Sequence, residues 1–170
     1  MGPRTAHWFT GRRALLNAVL TLHRSTWLEI LAEAWRVYPL EACGLLIGPD
    51  GGVVDRFVPI ANEAQSSRVF TLSPMGYMKA ERLADDLGFQ VVGVVHSHTH
   101  TSAYPSPTDV AEATKPLVPP DWHWAIVSLA WGYPELRSFR VQEAGAGAEA
   151  DAERETAELG MDEEPVWLKD

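Results

Sequence analysis

Three of the six histidines, His96, His98 and His100, fall within five residues, directly after the apolar stretch Phe89 to Val95. Side chains alternate along an extended strand, so His96 and His98 point to one face with their Cβ atoms about 7 Å apart. Two imidazoles so placed can converge on one metal ion. His100 joins them only if the strand continues, and the loop that follows argues against that. A carboxylate stands a little further on. Ser106 is a natural helix N-cap, Pro107 suits the first helical position, and Asp109 falls in the first turn, where the helix dipole keeps it ionised. Two neutral imidazoles and one carboxylate leave a fourth tetrahedral position for water, the ligand set of a catalytic zinc rather than a closed structural one. Such an ion lowers the pKa of bound water toward about 7 and so makes a nucleophile at neutral pH.

A hydrolytic centre of this kind also needs a group that takes the water's proton and returns it to the leaving group. Glu41 is the candidate. It stands at the edge of an apolar run, an odd place for a carboxylate with no task, and a pocket there would raise its pKa and suit it to carrying a proton. Ser106 can offer its hydroxyl to a developing oxyanion. Plainer readings stand beside these. A histidine pair can be only a polar strand end, Glu41 a solvated boundary residue, and Ser106 only a helix cap. Cys43 lies in an apolar run and reads as a small core residue rather than a nucleophile. His123, between two tryptophans, reads as a packed histidine, and Glu63, Asp85 and Asp86 as solvated charges.

The elements that must hold these residues follow from periodicity. Val19 to Leu22 begins a first strand. Ser25 is the expected N-cap of a helix in which Trp27, Ile30, Leu31, Ala34 and Trp35 recur at helical spacing until Pro39 ends it. Glu41 to Gly48 reads as a strand closed by the turn Pro49 to Gly52, with Val53 to Ile60 as its hairpin partner. Arg68 to Leu72 is a further short strand. Ser73-Pro74 opens a second helix that stops at Gly88. Phe89 to Val95 is a central strand buried on both faces, and Ser106-Pro107 starts a short third helix. Trp122 to Leu129 and Leu136 to Val141 form a second hairpin, and Glu143 to about Glu158 is a linker or solvated helix. The fold class is α/β of mixed type, with helices flanking one sheet.

The chain has 170 residues, 46% of them apolar and 22% charged. That suits a single globular domain and excludes a disordered or collagen-like chain. No apolar run approaches the roughly 18 residues of a membrane span. One cysteine rules out internal disulfides and multi-cysteine metal sites, and suits a reducing compartment, so the expected location is cytoplasmic. The net charge is −9, of which the tail from Glu143 carries −8, the middle from Ser25 to Gln142 −5 and the first 24 residues +4. No basic stripe runs through the middle, which argues against nucleic acid as a partner. Arg12 and Arg13 precede Ala14 to Leu22, but Asn17 interrupts that stretch and no small-residue cleavage pattern follows. Residues 1–18 therefore read as a loose extension, 19–142 as the functional domain and 143–170 as an acidic tail whose Glu163 to Leu168 can dock as a late strand.

Glu41, then His96-Ser97-His98, seven residues, Ser106, two residues and Asp109 resemble the motif of the JAMM (MPN+) metalloproteases: a glutamate, H-[ST]-H, seven residues, S, two residues, D. Every fixed position is matched. Glu41-Ala42-Cys43-Gly44 and Ala103-Tyr104-Pro105-Ser106 resemble the bacterial Mec-type branch. The resemblance covers about Val19 to Val141. It implies one zinc ion held by His96, His98 and Asp109, Glu41 as general acid and base, and Ser106 steadying the tetrahedral intermediate. It implies a curved mixed sheet flanked by helices. It further implies hydrolysis of the amide or isopeptide bond after the C-terminal Gly-Gly of a ubiquitin-like or sulfur-carrier protein, above all release of cysteine from a carrier–cysteine adduct. Removal of a modifier from protein lysines and a non-catalytic scaffold of the same fold are the alternatives. A homodimer is left open. An extended Gly-Gly tail can add as a strand beside the sheet, with Val69 to Leu72 or Thr99 to Tyr104 lining its channel. Residues 1–18, His100 and the acidic tail lie outside the motif.

Overall fold

A computed structural model describes residues 19–49, 52–141 and 160–170. The elements, in chain order, are β1 (Leu20–His23), α1 (Arg24–Val37), β2 (Cys43–Gly48), β3 (Val53–Val54), β4 (Arg56–Ile60), α2 (Pro74–Leu87), β5 (Gln90–His98), α3 (Pro107–Ala113), β6 (His123–Ser128), β7 (Glu135–Val141), β8 (Met161–Glu164) and β9 (Val166–Lys169). A six-stranded mixed sheet runs β4-β2-β5-β6-β7-β8. Only the central β5–β6 pair is parallel; β2 pairs antiparallel with β5 on the other side. This is the mixed α/β class.

The two faces of that sheet are covered differently. One buries Leu46, Val92, Val95, Ala125 and Val127 under Ile30 and Ala34 of α1 and Leu20 and Leu22 of β1. The other buries Leu45, Val94, Trp124 and Ile126 under Ala80 of α2 and Ala113 of α3. Removing that much apolar area from water, at about 25 cal/mol per Å², is what holds the layers together. β5 lies buried from Val92 to His98, as a strand covered on both faces must be. Gly93 permits the close approach of β6: a Cβ there would collide with the His123 carbonyl. Gly88, at φ +68°, ends α2 in the left-handed cap.

Several sequence expectations are corrected. The helices do not flank one sheet alone, because β3-β1-β9 forms a second, three-stranded parallel sheet. Val53 to Ile60 is split: β4 is the hairpin partner of β2, whereas β3 turns aside to pair with β1. Ser25 is not the N-cap of α1; the helix begins at Arg24, and His23, in extended geometry, makes no side-chain cap. There β1 runs straight into the helix, so the boundary is set by strand pairing instead of by a capping oxygen. Arg68 to Leu72 is not a strand but a loop with one bridge, Asn62 to Leu72. The Asn62 side chain takes the bonds a second strand would have made, to the carbonyls of Glu41 and Val69 and the amides of Ala64 and Thr71. At the C-terminus β8 extends the large sheet beside β7, and β9 pairs in parallel with β1. The expectation for 143–158 lies outside the described residues. No helix among the described residues is long and apolar enough to cross a membrane.

Candidate metal centre

β5 delivers two of the predicted ligands. His96 and His98 share the face of Val94 and lie at the C-terminal end of the strand, almost wholly buried. The His96 ring stacks on Phe70 with centroids 4.4 Å apart and planes 22° apart. α3 delivers the third. Ser106 caps it in a reciprocal arrangement: Asp109 N–H donates to Ser106 Oγ at 3.2 Å, and Ser106 N–H donates to Asp109 Oδ2 at 2.6 Å. The capping box thus fixes the carboxylate and turns it to the histidines, with Oδ1 3.2 Å from His96 Nε2 and Oδ2 3.4 Å from His98 Nε2. The two Nε2 atoms are 3.1 Å apart.

That spacing suits a cation. A tetrahedral shell with bonds of about 2.0–2.1 Å sets neighbouring donor atoms roughly 3.3 Å apart, and the three contacts here are 3.1, 3.2 and 3.4 Å. The donor chemistry agrees. His98 Nδ1 lies 2.7 Å from the Ser102 carbonyl, which can only accept, so Nδ1 carries the proton and Nε2 presents its lone pair. Thr101 Oγ1, 3.1 Å from the same nitrogen, flanks it. The turn bearing both groups is held in place by Ser128 of β6, whose hydroxyl donates to the Thr101 carbonyl at 2.7 Å.

Glu41 arrives from the neighbouring strand. Cys43 faces His96 in the β2–β5 register, and Ala42 bonds Ser97 through both its amide and its carbonyl, so the next pair along is Glu41 and His98. The Glu41 side chain is buried, with 4% of its surface exposed. Burial pushes its carboxyl up to about 7; His98 pulls it down and Asp109 adds to the rise. For Asp109 burial also acts upward, but hydrogen bonds from His96 and His98 outweigh it and hold the carboxyl far below the usual range. Burial holds His96 below its ordinary value against the pull of Asp109. Burial lowers His98 too, yet Asp109, the Ser102 carbonyl and Glu41 carry it upward on balance. The arrangement pairs an ionised ligand carboxylate, Asp109, with a second carboxyl, Glu41, able to gain or lose a proton near neutrality.

His96, His98 and Asp109 therefore meet, with ligand atoms all within 4.8 Å of one another, Glu41 across the strand and Ser106 at the helix cap. His100 does not join them: it is exposed, edge-on to Tyr38 at 6.3 Å. Cys43 is buried, and desolvation, with Glu41 and Glu33 adding, pushes its thiol up to about 12, which suits core packing rather than nucleophilic attack. Sequence reasoning named 69–72 and 99–104 only as channel-lining stretches and gave Phe70, Thr101, Ser102 and Ser128 no part in holding the ligands. Two of the four act through backbone carbonyls, and no residue type signals that.

The family model of prokaryotic homologs of the JAB domain matches residues 23–142. CysO-cysteine peptidases of Mycobacterium bovis and Mycobacterium tuberculosis are each 40% identical over 114 residues, 66% of this chain and 75% of theirs. A solution structure of a Desulfitobacterium hafniense protein is 32% identical with a TM-score of 0.70, covering 88% of this chain and 92% of that one. A structure described as a JAMM, metalloprotease-like zinc site in the proteasome and signalosome shares the fold at 18% identity and a TM-score of 0.51, over 89% of this chain and 99% of that one.

Proposed function

The chain belongs to the prokaryotic JAB-domain family and is a JAMM-type metallopeptidase, and from that premise we propose that it uses one zinc ion to hydrolyse the bond after the C-terminal Gly-Gly of a sulfur-carrier or ubiquitin-like protein, releasing cysteine from a carrier–cysteine adduct in the cytoplasm. The observation that carries the metal is the convergence of three ligand atoms, with the tautomer of His98 set for coordination. The name and 40% identity of the mycobacterial relatives support the carrier.

His96, His98 and Asp109 would hold the ion. When bound, zinc supplies Lewis acidity toward the scissile carbonyl and acidifies water. Glu41, with a pKa near 7, is suited to accept the proton of the attacking water and pass it to the departing amine. Ser106 accepts from the Asp109 amide through its oxygen, which leaves its own hydroxyl proton to donate to the carbonyl oxygen as negative charge grows there. The bond that forms joins water oxygen to the glycine carbonyl carbon; the bond that breaks is carbon to nitrogen. The decisive test is Glu41→Gln. We expect the variant to retain metal at the wild-type ratio while turnover of a carrier–cysteine adduct, followed by mass spectrometry, falls by about 10²–10⁴-fold. Wild-type turnover in that variant would refute Glu41 as the base.

A further inference from the structure

The segment between β4 and α2 borders the metal centre and is tied to it at three points. The Ser66 carbonyl accepts from the Glu41 amide at 2.8 Å, and the Ser67 carbonyl accepts from the Thr99 hydroxyl at 3.3 Å. The Phe70 ring lies on His96 at 4.4 Å. Arg68 stands among these anchors, exposed and at a bend. Its amide is used locally, donating to Ser66 Oγ at 3.1 Å. Among the described residues its guanidinium has no carboxylate partner within 4.0 Å. Among the described residues Arg24, Arg36, Arg56, Arg137 and Arg140 each lie within 4.0 Å of one. Arg82 shares the unpaired state of Arg68, but it belongs to α2 and not to the segment tied to the site. Arg68 is also the single arginine or lysine in the two stretches that border the centre, 61–73 and 99–106, within a chain of net charge −9.

An exposed arginine on a segment tied to a peptidase centre bears on the leaving group. The same carbon–nitrogen bond breaks whether the amine belongs to a free amino acid or to the side chain of a protein lysine, and in both cases the amine takes a proton. The difference is charge. A released amino acid carries a carboxylate one carbon from its amine, whereas a lysine ε-amine has none nearby. Guanidinium recognises carboxylate through paired N–H donors.

We propose that Arg68 binds the α-carboxylate of the residue being released, so that this enzyme removes a single C-terminal amino acid in preference to a lysine-linked protein. The inference rests on the carrier-tail reading above and adds the residue that reads the leaving group. The test uses the full-length, zinc-loaded protein and two substrates: a carrier ending in Gly-Gly-Cys with a free carboxylate, and the same carrier with a C-terminal carboxamide. The wild type is expected to favour the carboxylate about 10–100-fold in kcat/KM, mainly through KM, the worth of one charge-assisted contact. Arg68→Ala should bring that ratio to near one, Arg68→Lys should restore part of it, and Arg68→Glu should invert it. Zinc stoichiometry, read on each variant, should stay at the wild-type value. A wild-type ratio near one, or a ratio unchanged in Arg68→Ala, overturns the assignment of Arg68 alone. A wild type that cleaves neither substrate overturns the carrier reading and this inference with it.

Discussion

Two places among the described residues bury histidine beside carboxylate and serine, and one of them, the candidate metal centre, brings three ligand atoms together. At the metal centre, His96, His98 and Asp109 turn ring nitrogens and oxygens toward a common point, while Ser106 and Ser102 hold them from behind. Near the C-terminal strand, His123, Glu164 and Ser138 are as deeply buried, but their atoms bond to one another. His123 Nδ1 donates to Glu164 Oε1 at 2.6 Å, and Ser138 Oγ donates to the same oxygen at 2.6 Å. Arg140 Nη1 approaches His123 Nε2 at 3.4 Å and Glu164 Oε2 at 4.0 Å. Serine and histidine both address the carboxylate and not each other, so no hydroxyl is activated as it would be in a serine nucleophile's triad. This second cluster fastens β8 to the sheet. Residue types alone do not distinguish a binding centre from a structural one; what distinguishes them is that three ligand atoms converge on one point in the first, whereas in the second histidine and serine both spend their protons on a single carboxylate oxygen.

The contrast can be broken most sharply by removing one histidine from each cluster. His98→Ala should abolish stoichiometric zinc binding and lower turnover by about 10³-fold or more, whereas His123→Ala should keep its metal; elemental analysis after dialysis reads both. If His98→Ala retained a full equivalent of zinc, the centre would lie elsewhere. In the structural cluster, Glu164→Ala takes from His123 and Ser138 their shared acceptor and from Arg140 a nearby carboxylate, and should cost about 2–4 kcal/mol in denaturant unfolding. A change below about 0.5 kcal/mol would mean that the side-chain cluster does not fasten β8, leaving its backbone pairing with β7 to hold it.

A smaller effect sharpens the electrostatic side. In the metal-free protein Glu41 has its pKa raised from 4.5 to about 7 by burial. Below pH 4.5 the carboxyl is protonated in both folded and unfolded states and contributes no pH dependence. Between 4.5 and 7 the unfolded chain ionises and the folded one resists, so stability falls as pH rises, and above 7 the loss is complete. Glu41→Gln has no such carboxyl. Its stability relative to wild type should therefore grow by about 1–3 kcal/mol from pH 4.5 to 7.5 and then level off, as read from thermal or denaturant midpoints without metal. A difference that stays flat across that range would place Glu41 in water.

Much of the centre was legible because it depends on local rules. Alternation along β5 sets His96 and His98 on one face, and Ser106, Pro107 and Asp109 spell a capped helix start whose carboxylate position follows from the cap. Glu41 was legible only through its odd place at the end of an apolar strand. The short segment at 68–72 misled, since its apolar pattern suited a strand, yet the Asn62 side chain satisfied the backbone there. β3 and β9 were misread or left open for a related reason: two to four residues carry too little periodicity to say which edge they will join.

The order of chemistry-bearing residues, their alternation and the helix cap were written in the chain itself, because strand pleat and capping geometry act over one to four residues. That Glu41 faces His98 across a register joining residues 57 apart in sequence, that Ser102 fixes the tautomer of that imidazole, and that Arg68, on a segment tied to the centre, has no counter-ion among the described residues was decided only by packing. Burial and the competition for hydrogen-bond partners are properties of the assembled fold, and they settle which of several similar side chains stay free to act.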